Sequence, residues 1–156
     1  MSPQTVKESE RILEQLKHAY EGPAWHGPSL REVLDGITAK QAAARPLPNA
    51  HSIWEIVLHI TTWEDVVRRR VRAEKVNVTD AQDWPAVTDT SEAAWKAALA
   101  ALEKGHMALR ETLAEMSESR LEEALVPGGN NGYVQLHGIV QHDLYHAGQI
   151  AVLKKA

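Results

Sequence analysis

Apolar residues recur every three or four positions along four long stretches of this 156-residue chain, with Pro- and Gly-bearing segments between them. That period puts side chains on one face of an α-helix and conflicts with the two-residue alternation of a strand. The first stretch predicts a helix from about Pro3 to Tyr20, with Val6, Ile12, Leu13 and Leu16 on one face, stopped by Gly22 and Pro23. A loop, GPAWHGPS, leads to a short helical turn carrying Leu30, Val33 and Leu34 and ending near Gly36. After the breaker Arg45-Pro46-Leu47-Pro48-Asn49, a second long helix is expected from Ser52 to Lys75. Ser52 and Glu55 have the spacing of a capping box, and the apolar stripe is Ile53, Ile56, Ile60, Trp63, Val67 and Val71. Residues 76–90 read as a long connection. A third helix follows from Ser91 to Met116, striped by Trp95, Leu99, Leu102, His106, Leu109, Leu113 and Met116. The run Pro127–Gly132 is the clearest turn, and the last helix is expected from Val134 to Lys155. Val76-Asn77-Val78 is too short to pair as a strand, and nothing else reads as sheet. The expectation is an all-α, four-helix bundle forming one domain over residues 1–156.

Composition narrows the function. Lys and Arg number 17 against 21 Asp and Glu, a formal charge of -4. Affinity for a phosphate backbone comes from neutralising phosphates with cations, so nucleic acid is not an expected partner. No apolar run approaches the ~20 residues that span a bilayer. The polar start, MSPQTVKESE, lacks a signal peptide's apolar stretch, so the expected location is cytoplasmic and without a membrane. Cysteine is absent, which removes disulfides, thiolate metal sites and cysteine nucleophiles together. Eight histidines then remain as the good transition-metal ligands.

The densest cluster is His142-Asp143-Leu144-Tyr145-His146. Residues four apart on a helix are separated by ~40° and ~6 Å, so both imidazoles leave one face, a geometry suited to one metal ion. Ile139, His142, His146, Ile150 and Leu153 share threes-and-fours spacing, so the pair lies on an apolar stripe, where unpaired imidazoles are costly. His59, on the flank of the second helix's buried stripe, is the expected third ligand. Three histidines from two facing helices leave a coordination position open, as catalytic metal sites do.

Other residues have competing readings. His106 interrupts the third helix's stripe and reads chiefly as a buried histidine bonded to a carbonyl or carboxylate, with a fourth-ligand role as the alternative. Asp143 reads as a surface carboxylate or as one that orients a ligand histidine, and Glu55 is a further candidate for that orienting role beside its capping role. HDLYH resembles the HExxH zinc motif, but its shorter acid and the absence of a downstream ligand disfavour a protease. His18, His26 and His51 read as surface residues, and His137 lies on another face. Trp63, Trp84 and Trp95 read as core or as pocket walls, and Tyr145 has no assigned role. The arginines at 68, 69, 70 and 72 read as a solvated face rather than an anion site. No phosphate-binding Gly-rich loop or Ser/His/Asp arrangement is legible, so no catalytic residue is assigned.

Two motifs, HSIWEIVLHITTWE (His51 to Glu64) and LHGIVQHDLYHAGQIAVLKKA (Leu136 to Ala156), resemble the DinB/YfiT-like superfamily of metal-dependent four-helix bundles. The segment LREVLDGITAKQAAARPLPNAHS also looks like that family's passage into its second helix. The resemblance implies a divalent metal, Zn or Ni, held by His59, His142 and His146 with water completing the shell. It further implies a homodimer and a small-molecule substrate. Characterised relatives include transferases and isomerases that use bacillithiol or mycothiol. By that analogy the expected function is activation of a low-molecular-weight thiol for S-transfer to an electrophile. A metal-dependent hydrolase using water, and a non-catalytic module stapled by its ion, are the alternatives. The sequence reads as one bundle, without the extra C-terminal domain expected of some mycothiol-dependent isomerases, so their particular reaction is not transferred.

Overall fold

The computed structural model describes residues 5–156, and among them there are helices and no β-strand. In chain order the helices are α1 (Glu8–Glu21), α2 (Leu30–Leu34), α3 (Ala39–Ala43), α4 (Ile53–Val71), α5 (Asp80–Asp83), α6 (Glu92–Glu115) and α7 (Gly132–Leu153), with a 3-10 turn at Glu118–Leu121. The four long ones, α1, α4, α6 and α7, are the expected bundle.

Capping chemistry sets most of their ends. Pro3, the expected start of the first helix, lies outside the described residues. The helix itself begins at Glu8, where the Glu118 carboxylate accepts the N–H groups of Glu8 (3.0 Å) and Ser9 (3.3 Å). Val6 therefore precedes the helix and is exposed, not part of its buried face. Ser52 and Glu55 form the predicted capping box of α4. That helix stops at Val71 rather than Lys75. Ala73 turns to a φ of 63°, and the Arg120 guanidinium donates to the carbonyls of Arg70 and Val71, supplying partners that a further helical turn would have provided. α7 starts at Gly132, two residues early, with Asn131 accepting the N–H of Val134. A Cβ on Gly132 would stand 2.2 Å from the carbonyl oxygen of Arg120, so only glycine lets the helix begin against the 3-10 turn. The short helices α3 and α5 were not expected. Each opens on its own capping box, Thr38 with Gln41 and Thr79 with Gln82, a signal readable at the residue level.

The long helices form a ring in which α1 packs on α6 and α7, and α4 packs on the same two. Their apolar stripes make two clusters. One gathers Trp54, Ile56, Ile60, Trp95, Leu102, Ala147 and Ile150; the other gathers Leu16, Val67, Leu109, Leu113, Leu136 and Ile139. Each of these larger aliphatic side chains contributes about 1.5–3 kcal/mol through removal from water. Between the clusters, on each of three helices, stands a buried polar residue: Glu64 between Ile60 and Val67, His106 between Leu102 and Leu109, Asp143 between Val140 and Ala147. A polar layer thus divides the core, and the histidines of interest lie beside it.

Candidate metal centre

His59 on α4 meets His142 and His146 on α7, where the two helices pack. The ring centroids are 4.9 Å apart for His59 and His142, 4.8 Å for His59 and His146, and 4.4 Å for His142 and His146. One nitrogen from each ring lies within 4.8 Å of the others. Among the described residues this group holds three histidines and no fourth ligand. The i, i+4 spacing on α7 does what helical geometry requires, and the third ring comes from the neighbouring helix.

Hydrogen bonds fix which nitrogens are bare. His59 Nδ1 is 2.7 Å from the carbonyl oxygen of Asp83. A carbonyl only accepts, so Nδ1 carries the proton and Nε2 presents a lone pair. His146 Nδ1 likewise donates to Gln149 Oε1 at 2.7 Å, leaving its Nε2 bare. His142 Nε2 lies 2.9 Å from His59 Nε2 and must be the donor of that pair. Its own Nδ1 is then a buried acceptor without a partner. A cation drawing on the Nε2 lone pairs would move this proton to Nδ1, the nitrogen 3.8 Å from the Asp143 carboxylate. The donor set therefore fits a transition metal. Burial, with repulsion from neighbouring imidazoles, pushes His142 and His146 below the usual histidine range, which favours the neutral ligand form.

The surroundings are aromatic. Trp84 stacks on His59 at 3.9 Å, and His51 stacks on the other side of Trp84 at 3.5 Å. Trp63 Nε1 donates to Asp83 Oδ1 at 2.7 Å, so the residue that anchors His59 is itself held. Two clefts reach the histidines. One of about 700 Å³ is walled by Ile56, Trp84, Tyr145, His146, Val152 and Leu153. The other, of about 450 Å³, is walled by Trp63, Arg70, Ile139 and His142. Asp83 and Gln149 were missed from the sequence. Gln149 follows His146 by three residues, a readable spacing, whereas Asp83 lies 24 residues from His59 and meets it chiefly through its backbone carbonyl, which no local pattern marks.

Glu64, His106 and Asp143 form a second group whose potential ligand atoms also lie within 4.8 Å of one another, with all three residues at 0% exposure. His106 Nδ1 is 2.9 Å from Glu64 Oε1, and the ring stacks on Tyr20 at 4.1 Å. This is the expected buried histidine bonded to a carboxylate, outside the three-histidine group. Asp143 is not a surface residue. Burial pushes Glu64 up to about 8 and Asp143 well above the ordinary carboxylate range, and holds His106 down to about 4, so all three are driven toward uncharged forms.

The remaining candidates resolve simply. Glu55 accepts the Ser52 N–H at 2.7 Å and pairs with Arg45, so capping wins over any role at His59. His137 pairs with Glu8, and His26 is exposed. His51, expected at the surface, has an open side chain yet stacks on Trp84. Arg68 pairs with Asp65 and Arg69 with Glu74, as a solvated face does; Arg70 differs and turns into the second cleft.

No helix among the described residues is long and apolar enough to cross a membrane. No match was found among curated proteins or among solved structures. A family model described as the DinB superfamily matches residues 24–150, which takes in α2 through most of α7 and all three histidines. The chain belongs to the DinB superfamily.

Proposed function

We propose that this protein is a metal-dependent enzyme in which His59, His142 and His146 hold one divalent ion, Zn or Ni, and in which a low-molecular-weight thiol is activated for S-transfer to an electrophile. The observation that carries this reading is the group of three imidazoles, with no fourth protein ligand among the described residues, opening on two clefts. A structural site is normally closed by four protein ligands, and an open one admits a reactant. A bound divalent ion supplies Lewis-acid character, lowering the pKa of a thiol or water that reaches it.

The chain's own groups orient and enclose. The Asp83 carbonyl and Gln149 Oε1 hold two rings in the tautomer that presents Nε2. Trp84, stacked between His51 and His59, stiffens the wall of the larger cleft. That cleft is mostly apolar, and its volume suits a small organic molecule, which favours an apolar electrophile there.

The test is elemental analysis of the purified protein beside His146→Ala, with turnover of a chlorinated dinitroarene measured with and without added thiol. One equivalent of metal in the wild type, little in the variant, and thiol-dependent turnover are expected. Equal metal in both proteins sinks the site. Turnover that ignores thiol selects a hydrolase. Metal without turnover, together with a chelator-sensitive melting temperature, selects a stapled, non-catalytic bundle.

A further inference from the structure

The smaller cleft holds a cation with which, among the described residues, no carboxylate pairs. Arg70 lines it together with Trp63, Ile139 and His142. Its Nη1 donates to Gln135 Oε1 at 3.2 Å and its Nη2 to the carbonyl of Val76 at 3.1 Å, both neutral acceptors. Its Nε is buried without a partner. Among the described residues no carboxylate pairs with it, although Arg68 and Arg69 on the same helix each have one. The guanidinium lies 5.7 Å from the centre of the Trp63 ring. Trp63 is tied through Asp83 to His59, so the arginine sits on the framework that orients the histidines. In a chain of net charge -4, a half-buried arginine kept clear of acids beside a cleft is the arrangement that receives an anion.

We propose that this cleft is a subsite for an anionic group, with Arg70 as its counter-ion, so that the molecule beside His142 is a small acid. Arg70 is then a specificity residue for that molecule. That this acid is the thiol substrate rests on the function proposed above; the anion subsite itself does not. The larger, apolar cleft on the His146 side would take the second reactant, which divides the two substrates by charge.

The test compares 3-mercaptopropionate with the uncharged 2-mercaptoethanol, measuring affinity by calorimetry on the whole chain, both Zn-loaded and metal-free. Inorganic phosphate and propionate serve as competitors. The acid is expected to bind about tenfold more tightly than the alcohol, a preference that Arg70→Gln abolishes and Arg70→Lys partly restores. The metal-free arm removes direct carboxylate–metal contact as the cause of the preference. Displacement by propionate assigns the subsite to carboxylates, and stronger displacement by phosphate assigns it to phosphate-bearing ligands. Equal affinity for acid and alcohol in the wild type, or a preference that survives in Arg70→Gln, overturns the proposal. The wild-type comparison stands even if that variant fails to fold. A wild-type preference without thiol-dependent turnover would sink the transferase reading and leave the subsite intact.

Discussion

The imidazoles of His59, His142 and His146 and the side chains of Glu64, His106 and Asp143 both draw on α4 and α7, and both bring potential ligand atoms within 4.8 Å. Their surroundings set them apart. The first group opens on two clefts, and outer hydrogen bonds leave the Nε2 of His59 and of His146 unprotonated. The second has no exposure, and burial drives its members to uncharged forms. Proximity of donors is therefore a poor guide by itself. Access, and the direction in which each donor's remaining proton is tied, separate a place for chemistry from a polar layer inside a core.

The sharpest way to break this contrast is to remove one member from each side. His59→Ala is expected to lose the metal and any turnover while the bundle stays folded, read by elemental analysis and circular dichroism. His106→Ala is expected to keep its metal but to lose about 3 kcal/mol of stability, because it opens a cavity under Tyr20 and strips Glu64 of its partner. Denaturant unfolding checks that value. If His106→Ala empties the site, the two groups are one functional unit and the contrast fails.

A smaller effect is expected from the residues that hold the rings. Gln149→Leu removes the acceptor for His146 Nδ1 and should weaken metal affinity about tenfold, measured by competition with a chelator. Asp83→Ala keeps the backbone carbonyl that His59 uses and should cost less than Gln149→Leu. A larger loss from Asp83→Ala would mean that its carboxylate, 3.2 Å from His59 Nδ1, is the true anchor.

The gentlest probe is pH, applied to metal-free protein. Glu64 has a folded value of about 8 against an ordinary 4.5, so the folded state binds its proton more tightly than the unfolded state does. Its contribution is fully present below pH 4.5 and is lost as pH rises toward 8. Glu64→Gln, which still offers an oxygen to His106, should flatten that loss, seen as a smaller fall in melting temperature across the interval. An unchanged slope would place the titration elsewhere.

Several features were legible because they are local. The stripe from Ile53 to Val71 and the i, i+4 pair on α7 follow from helical geometry, which sequence spacing encodes directly. Ser52 with Glu55 announces the start of α4 by a rule confined to four residues, and Thr79 with Gln82 announces α5 by the same rule. Non-local partnerships were not legible. The cap of α1 comes from Glu118, the end of α4 is held by Arg120, and the partner of His106 is 42 residues away on another helix. The surface reading of Asp143, one of its two, fails because its own helix could not reveal that Glu64 and His106 close over it.

What this sequence determined alone is the four long helices and the face of each that turns inward, since propensity, period and capping act within a few residues of one another. By omitting cysteine it also removed thiolates from any metal site. Tertiary packing decided which inward-facing polar groups share a cleft and which are sealed, which nitrogen of each imidazole is bare, and which of four neighbouring arginines turns into a cleft. Those outcomes depend on how the ring of helices closes. Burial and the direction of a hydrogen bond are properties of neighbours brought together across the chain, and no local pattern carries them.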